Sequence, residues 1–139
     1  MSGEDDAATE RCPRAIVAGH GDFAAGIVSA VGAITGRAST FVAISNSGLS
    51  AAEIERVLRE TVETLEIGVI FTDLAMGSCT MAARRVQRLR SGLLLVTGTN
   101  LATLLEFAMQ PDLPTPEAAE RAAAKGRETI KLHGGPRVD

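Results

Sequence analysis

Two aromatic residue types are missing from the sequence: it has no tryptophan and no tyrosine, and only four of its 139 residues are phenylalanine. Proteins that bind nucleic acid commonly stack bases on aromatic side chains and attract the phosphate backbone with clustered basic residues. Here the formal net charge is −3. The composition therefore argues against nucleic-acid binding, and we expect no nucleic-acid partner.

Cysteine and histidine are also scarce, with two residues of each type. Cys12 and Cys79 are far apart and belong to no CxxC pair, and His20 and His133 add no short ligand spacing. Zinc sites and redox pairs usually show such short spacings. We therefore expect a protein with reduced cysteines and no metal site, and we infer no cofactor.

No apolar run reaches the roughly 18 residues that a membrane-spanning helix needs. The first residues are acidic, whereas a secretory signal begins with basic residues and continues with an apolar run. We expect a cytoplasmic protein in which residues 1–13 form a disordered acidic segment and residues 14–139 form a single domain.

What the sequence does contain is a regular alternation of short apolar runs and helical patterns. Each apolar run is typical of a buried strand, and each helical pattern places its apolar residues on one face. Strands are predicted at 15–18, 40–44, 68–72 and 93–96. Helices, with their caps, are predicted at 22–36, 50–65, 77–90, 101–108 and 115–131.

This order of elements predicts an α/β fold. We expect a three-layer, doubly wound domain, in which a mainly parallel sheet of four strands has helices on both faces. The strand order 2-1-3-4 is common in such sheets, and we adopt it as the prediction.

Three helix starts have specific capping signals. Asp22 is a favourable N-cap for the first helix. Ser50 and Glu53 have the spacing of a capping box at the start of the second helix. Thr115 followed by Pro116 indicates the start of the last helix, with the threonine as N-cap and the proline at the first helical position.

Polar residues collect at the carboxyl ends of the predicted strands, where ligands bind in doubly wound sheets. His20 follows the first strand and Asp73 follows the third. With the strand order 2-1-3-4 these two strands flank the point where the order reverses, so His20 should lie beside Asp73. A carboxylate bound to one imidazole nitrogen holds the tautomer and leaves the other nitrogen free as a nucleophile.

The segment 77–80 opens the third helix, and backbone N–H groups at a helix start attract a phosphoryl group. Gly77, Ser78 and Cys79 are therefore candidate phosphoryl-binding residues. Gly21 joins them because glycine beside His20 permits close approach to the ring. Each residue alone has a simpler structural role, such as a helix cap, and only their convergence on one edge of the sheet points to chemistry.

Four segments, VAGHGDFAAG, FTDLAMGSCTMAARRV, TGTNLATLLE and GRETIK, occur in this order along the chain. Together they resemble the IIA components of the mannose/fructose/sorbose family of the bacterial phosphoenolpyruvate-dependent sugar phosphotransferase system, over about residues 14–131. The resemblance implies that His20 accepts a phosphoryl group from the carrier HPr and passes it to a IIB component. It also implies that Asp73 hydrogen-bonds the histidine and that Ser78 and nearby amides hold the phosphoryl group.

The same resemblance implies a homodimer that meets the membrane only through transporter components. Family members pair through their sheet edges, and the tail at 133–138 is the nearest candidate for an antiparallel fifth edge strand. One loop departs from the family pattern, which is frequently Gly-Gly-Ser-Pro. Met76 replaces its first glycine and Cys79 its proline.

Three alternative functions remain open from the sequence. Residues 19–24 match the G-x-G-x-x-A pattern of dinucleotide-binding domains, but no acidic residue lies in 40–48 to hold a ribose. His20, Asp73 and a serine could form a hydrolase triad, but no G-x-S-x-G turn occurs. The third alternative keeps the fold and the phosphohistidine in a regulatory or dihydroxyacetone-kinase-type protein.

Overall fold

The computed structural model describes residues 13–137. The predicted acidic segment, except for Pro13, lies outside these residues, as does Cys12. Strands and helices alternate along the described part of the chain. The strands are β1 (Ala15–Gly19), β2 (Phe41–Ser45), β3 (Val69–Thr72) and β4 (Leu94–Val96). The α-helices are α1 (Phe23–Thr35), α2 (Ala51–Leu65), α3 (Ser78–Leu89), α4 (Leu101–Ala108) and α5 (Thr115–Glu128).

The sheet has the strand order β2-β1-β3-β4, and every neighbouring pair is parallel. The predicted fold class and strand order are therefore confirmed. Gly19 pairs with Ser45 of β2, and Ala18 pairs with Thr72 of β3. Because the chain moves to opposite sides of β1 to form β2 and β3, the order reverses between β1 and β3. The residues that follow these two strands meet at this switch point.

Both faces of the sheet are covered, since successive side chains of β1 and β3 point to opposite faces and all of them are buried. One face packs on α1, α4 and α5, and the other packs on α2 and α3. The largest buried side chains of the first face are Phe71, Phe107, Leu104, Val17 and Val31. Those of the second face are Ile16, Leu58, Ile70, Val62 and Val86. Within residues 13–137, no helix has the length and apolar character to cross a membrane.

The capping predictions had mixed outcomes. The capping box of α2 is confirmed: Ser50 Oγ accepts from the backbone N–H of Glu53 at 3.1 Å, and Ser50 N–H donates to Glu53 Oε1 at 2.8 Å. Asp22 occupies the N-cap position of α1, as predicted, but its side chain makes no capping hydrogen bond. Its backbone is at φ −92° and ψ 12°, outside the extended region from which an N-cap side chain reaches the helix.

The last helix begins one residue earlier than predicted, with Pro114 at the N-cap and Pro116 at the second position. The hydroxyl of Thr115 accepts from Arg14 instead of capping the helix. The helix ends at Glu128 rather than at about residue 131. Residues 130–137 form no strand, so the possible fifth edge strand does not occur in the part of the chain that the structure describes.

Arg14 lies at the amino edge of the sheet, just before β1, and holds the loop between α4 and α5. Its guanidinium stands 5.1 Å from the centre of the Phe107 ring. Its N–H groups donate to four oxygens at 2.6–3.3 Å: the carbonyls of Gln110, Pro111 and Leu113 and the hydroxyl of Thr115. No pattern in the sequence indicated this role of Arg14.

Candidate active site

His20 and Asp73 lie side by side at the carboxyl edge of the sheet. Each residue directly follows its strand, and Thr72, which precedes Asp73, pairs with Ala18, which lies two residues before His20. His20 Nδ1 is 2.8 Å from Asp73 Oδ2, and the backbone N–H of His20 donates to the same oxygen at 2.9 Å. The structure thus brings together the two residues that the strand order 2-1-3-4 placed at the switch point.

The protonation of this pair follows from the environment of Asp73. Partial burial raises the pKa of Asp73, but hydrogen bonds from the His20 ring and backbone, with the positive charge of a protonated ring, outweigh burial and lower the pKa overall. The carboxylate is therefore ionised at neutral pH and can only accept hydrogen bonds. When the ring of His20 is neutral, its one proton therefore lies on Nδ1, the donor to this carboxylate, which leaves Nε2 with its lone pair.

The side chain of His20 is more exposed than that of Asp73, as a nucleophile that reacts with a partner protein requires. The His20 side chain is 48% exposed, whereas the Asp73 side chain is only 12% exposed. The carboxylate is thus held inside while the ring reaches the surface. A reacting group can approach Nε2 from solvent without displacing Asp73.

Glycine is favoured on each side of His20 for a different structural reason. A Cβ on Gly19 would lie 2.6 Å from the Phe23 ring and 3.0 Å from Asp73 Oδ2, so Gly19 makes room for the carboxylate. Gly21 has φ +53° and no neighbour within 4 Å of a Cβ position, so its conformation rather than its size favours glycine. The structural role of Gly19 is therefore to accommodate Asp73, beyond leaving the ring accessible.

The start of α3 lies against the ring of His20. A Cβ on Gly77 would come within 3.3 Å of His20 Cε1, the ring carbon bonded to both nitrogens. The first hydrogen bond of the helix joins Met81 N–H to Gly77 O at 2.9 Å. The N–H groups of the three residues between them therefore have no partner within the helix. They give the positive end of α3 beside the histidine.

A buried pair of hydroxyl groups holds the first turn of α3 in place. Thr72, at the end of β3, and Thr80 of α3 hydrogen-bond to each other through their hydroxyl oxygens at 2.6 Å. Thr80 also donates to the carbonyl of Leu74. The helix start is thus tied to the strand that leads into Asp73.

The two departures from the family loop have opposite environments. The side chain of Met76 is 77% exposed, so its bulk lies in solvent. Cys79 is fully buried in the core between the sheet, α2 and α3. Burial, and next the charge of Asp73, raise the pKa of the Cys79 thiol against the opposing hydrogen bond of Ser78. The thiol is therefore neutral at pH 7.

Asn46 contacts a candidate site residue, although the sequence predicted no role for it. Its side-chain Nδ2 donates to Ser78 Oγ at 3.0 Å, and its backbone N–H donates to Gly19 O at 3.1 Å. The sequence placed Asn46 only in a polar loop. The available signal was its position at the carboxyl end of β2, the strand beside β1.

Residues 14–123 match the family model described as "PTS system fructose IIA component", where PTS is the phosphotransferase system. The chain belongs to this family. Membership supports a phosphocarrier role in sugar uptake and makes the chain a phosphotransferase component. No match was found among the curated proteins that were compared.

Solved structures of IIA proteins share this IIA fold. The EIIA component from Streptococcus agalactiae is 21% identical, with a TM-score of 0.77 over 86% of this chain and 95% of that one. The mannose/sorbose-specific IIA subunit from Enterococcus faecalis is 20% identical, with a TM-score of 0.76 over 92% and 99%. The IIA protein associated with the fucose utilization operon of Streptococcus pneumoniae is 22% identical, with a TM-score of 0.70 over 85% and 90%.

The hydrogen bonds of Ser78 and His20 bear on the hydrolase alternative. Ser78 Oγ is bonded to Asn46, and within residues 13–137 no serine hydroxyl hydrogen-bonds to the ring of His20. A serine, histidine and aspartate triad is therefore not assembled. The G-x-G-x-x-A pattern at residues 19–24 lies within the range that matches the IIA family model.

Proposed function

We propose that this IIA chain transfers phosphoryl groups through a phosphohistidine at His20, accepting the group from HPr and donating it to a IIB component in the cytoplasm. The observation that carries the proposal is the 2.8 Å contact between His20 Nδ1 and Asp73 Oδ2. This contact leaves Nε2 as the free nucleophile on an exposed ring.

The proposed step is an in-line exchange between two nitrogens. The N–P bond on the phosphohistidine of HPr breaks as a bond forms between phosphorus and His20 Nε2, and the electron pair of the broken bond returns to the HPr ring. The His20 ring then gains positive charge. Asp73 stabilises this charge and retains the Nδ1 proton, so positioning and electrostatics supply the catalysis.

The start of α3 supports the placement of the phosphoryl group. We infer that the Ser78 hydroxyl and the backbone N–H groups of Ser78 and Cys79 bind its oxygens, because they lie at the positive end of the helix beside the ring. Gly77 permits this close approach, and Gly21, next to His20 in the chain, adds no side chain there.

We also propose that the chain acts as a homodimer. The three residues of β4, Leu94–Val96, are only half-buried although all are apolar. In the tail, Ile130 and Leu132 are 73% and 96% exposed. A second copy would cover both groups of apolar side chains. Sedimentation equilibrium should give twice the chain mass, and a monomer at micromolar concentration would contradict the proposal.

The central experiment is incubation with phosphoenolpyruvate, enzyme I and HPr, followed by intact mass measurement. The wild type should gain one acid-labile phosphoryl group. His20→Ala should gain none, because the nucleophile is absent. His133→Ala is the matched control, since His133 is exposed in the tail and should leave uptake unchanged. Phosphate uptake by His20→Ala would overturn the proposal.

The acceptor is tested by a second transfer from the phosphorylated chain. IIB components and a dihydroxyacetone kinase are presented separately, and the loss of phosphate from this chain is followed. Transfer to a IIB component is the expected result. Transfer to the kinase, or to neither protein, would favour the alternative or regulatory role.

A further inference from the structure

We propose that Asn46 is a positioning residue that directs the hydroxyl proton of Ser78 toward the phosphoryl group. This inference rests on the proposed function of His20. It concerns the first residue after β2, the strand that pairs with β1 on the side away from β3. Its side chain reaches Ser78 across the end of β1, the strand that leads into the histidine.

The backbone around Asn46 is held in place independently of its side chain. Its N–H donates to Gly19 O at 3.1 Å, and its carbonyl accepts from Leu49 N–H at 3.1 Å. The side chain then crosses above the end of β1 to Ser78, the first residue of α3. Asn46 and Ser78 are both half-buried. The contact thus joins loops that follow different strands, at the point where His20 emerges.

The direction of this hydrogen bond decides what Ser78 can do. An amide nitrogen only donates, so Ser78 Oγ is the acceptor and its own proton is available for another partner. The neighbouring Cys79 competes only weakly for this proton, because the sulfur of a neutral thiol is a weak acceptor.

A phosphoryl oxygen on His20 is the stronger acceptor, because hydrogen bonds to an ionised group are shorter and about twice as strong as neutral ones. Asn46 would therefore act only through Ser78. Without the side-chain amide of Asn46, the Ser78 hydroxyl can rotate and donate its hydrogen bond to water instead.

The experiment measures the rate of His20 phosphorylation by HPr in Asn46→Ala, Ser78→Ala and the double variant. We expect Asn46→Ala to slow the reaction by roughly 3- to 10-fold, which corresponds to the loss of one oriented hydrogen bond. The double variant should be no slower than Ser78→Ala, because the effect of Asn46 needs the hydroxyl. A purely structural role of Asn46 would instead multiply the two effects.

Asn46→Asp gives a second test that keeps the shape of the side chain. A carboxylate would accept the Ser78 proton and add a negative charge near the phosphoryl group, so we expect a larger slowing, about 10- to 100-fold. Ser47→Ala is the matched control, because Ser47 lies next in the same loop, is exposed and has its hydrogen bonds with Ser45 rather than with Ser78. Its rate should equal that of the wild type.

Three results would overturn the inference. They are wild-type rates in both Asn46 variants, multiplied effects in the double variant, or an equal slowing in Ser47→Ala. If the wild type itself takes up no phosphate from HPr, the proposed function fails and the inference fails with it. Normal uptake by the wild type with unaffected Asn46 variants removes the inference alone.

Discussion

The two edges of the sheet both hold polar clusters, but the clusters use their hydrogen bonds differently. At the amino edge, Arg14 directs its donors to four oxygens of one loop and stacks on Phe107. At the carboxyl edge, His20 uses Nδ1 for Asp73 and keeps Nε2 free, while the first N–H groups of α3 have no partner within the helix. A structural cluster satisfies its own groups, and the proposed site leaves groups open for a ligand.

This contrast predicts different effects of substitutions at the two edges. Removing a donor from the amino edge leaves half-buried carbonyl groups without a partner, which costs stability. Removing a group from the carboxyl edge mainly removes the means to orient and charge a reacting atom. We therefore expect stability and phosphoryl transfer to respond separately to substitutions at the two edges.

The largest expected effect is the loss of transfer in Asp73→Asn. The amide has nearly the same shape but no charge, so the His20 ring loses the partner that stabilises its positive charge. We expect phosphorylation by HPr to slow by about 100-fold or more, the scale on which a positioned acid or base contributes. Stopped-flow or rapid-quench measurement of phosphate on His20 tests this.

The same variant should remain folded, because Asp73 contributes to the site rather than to the core. Thermal unfolding followed by circular dichroism provides that control. Unchanged transfer kinetics in a folded Asp73→Asn protein would remove the carboxylate from the mechanism.

Arg14→Met should have the opposite profile. Methionine retains an apolar stem over Phe107, but the carbonyl oxygens of Gln110 and Leu113 lose their donor. We expect the free energy of unfolding in urea to fall by about 2–3 kcal/mol, the cost of leaving such groups without hydrogen bonds. Phosphorylation at a temperature where the variant is fully folded should be unchanged.

Arg88→Met controls for the loss of a positive charge, because Arg88 lies exposed on α3 and has no salt bridge within residues 13–137. It should change the stability by less than about 0.5 kcal/mol. If both arginine variants lose the same stability, the hydrogen bonds of Arg14 are not the cause. If Arg14→Met loses transfer while folded, the two edges are not independent.

The two clusters also differ in how far the sequence could predict them. The pairing of His20 with Asp73 follows from two apolar strands that end in polar residues and from one assumption about strand order. Arg14 could not be found in this way, and the strand-end rule brings Asn46 to the carboxyl edge without giving it a partner. Asn46 meets Ser78 across 32 positions of sequence, and Arg14 meets its loop across about 100. Such contacts depend on side-chain directions that no periodic pattern specifies.

The rule for side-chain capping of helices failed at Asp22, where a neighbouring hydrogen bond fixes the backbone. Asp22 has the residue type of an N-cap, but α1 begins in a turn in which Phe23 N–H donates to His20 O at 3.0 Å. That turn sets the backbone angles of Asp22. Ser50 has no such competitor, and its capping box formed as predicted. The strand and helix pattern was therefore predictable, whereas the geometry next to the site was not.

Gly19→Ala should have a smaller effect that couples the two properties at the carboxyl edge. The added methyl group would lie 2.6 Å from Phe23 and 3.0 Å from Asp73 Oδ2, so the ring and the carboxylate must both move. We expect a loss of about 1–3 kcal/mol in unfolding free energy, typical of overpacking, and transfer slowed by roughly 10-fold. Urea unfolding and the HPr assay measure the two effects.

Gly26→Ala is the matched control for this variant, because Gly26 lies in α1 with nothing within 4 Å of its Cβ position. Alanine there should raise stability by up to about 1 kcal/mol through helix propensity and leave transfer unchanged. Normal transfer in Gly19→Ala would mean that the carboxylate can shift without cost to the reaction.

The smallest expected effect is a pH dependence of stability that belongs to Asp73. Its pKa in the folded chain lies below the ordinary value of 3.8, since the hydrogen bonds and charge of His20 outweigh burial. The folded state thus favours the ionised form of Asp73. Its contribution to stability is present above the unfolded pKa and is lost as the pH falls through the folded pKa.

Subtracting the unfolding free energy of Asp73→Asn from that of the wild type isolates the contribution of this carboxyl group. The difference should be constant from pH 7 to about pH 5 with respect to this carboxyl group and should fall below about pH 4. Because the His20 partner is half exposed, we expect a change of no more than about 1 kcal/mol. A difference that rose on acidification would reverse the sign of the shift and with it the inference that Nδ1 of His20 donates to an ionised carboxylate.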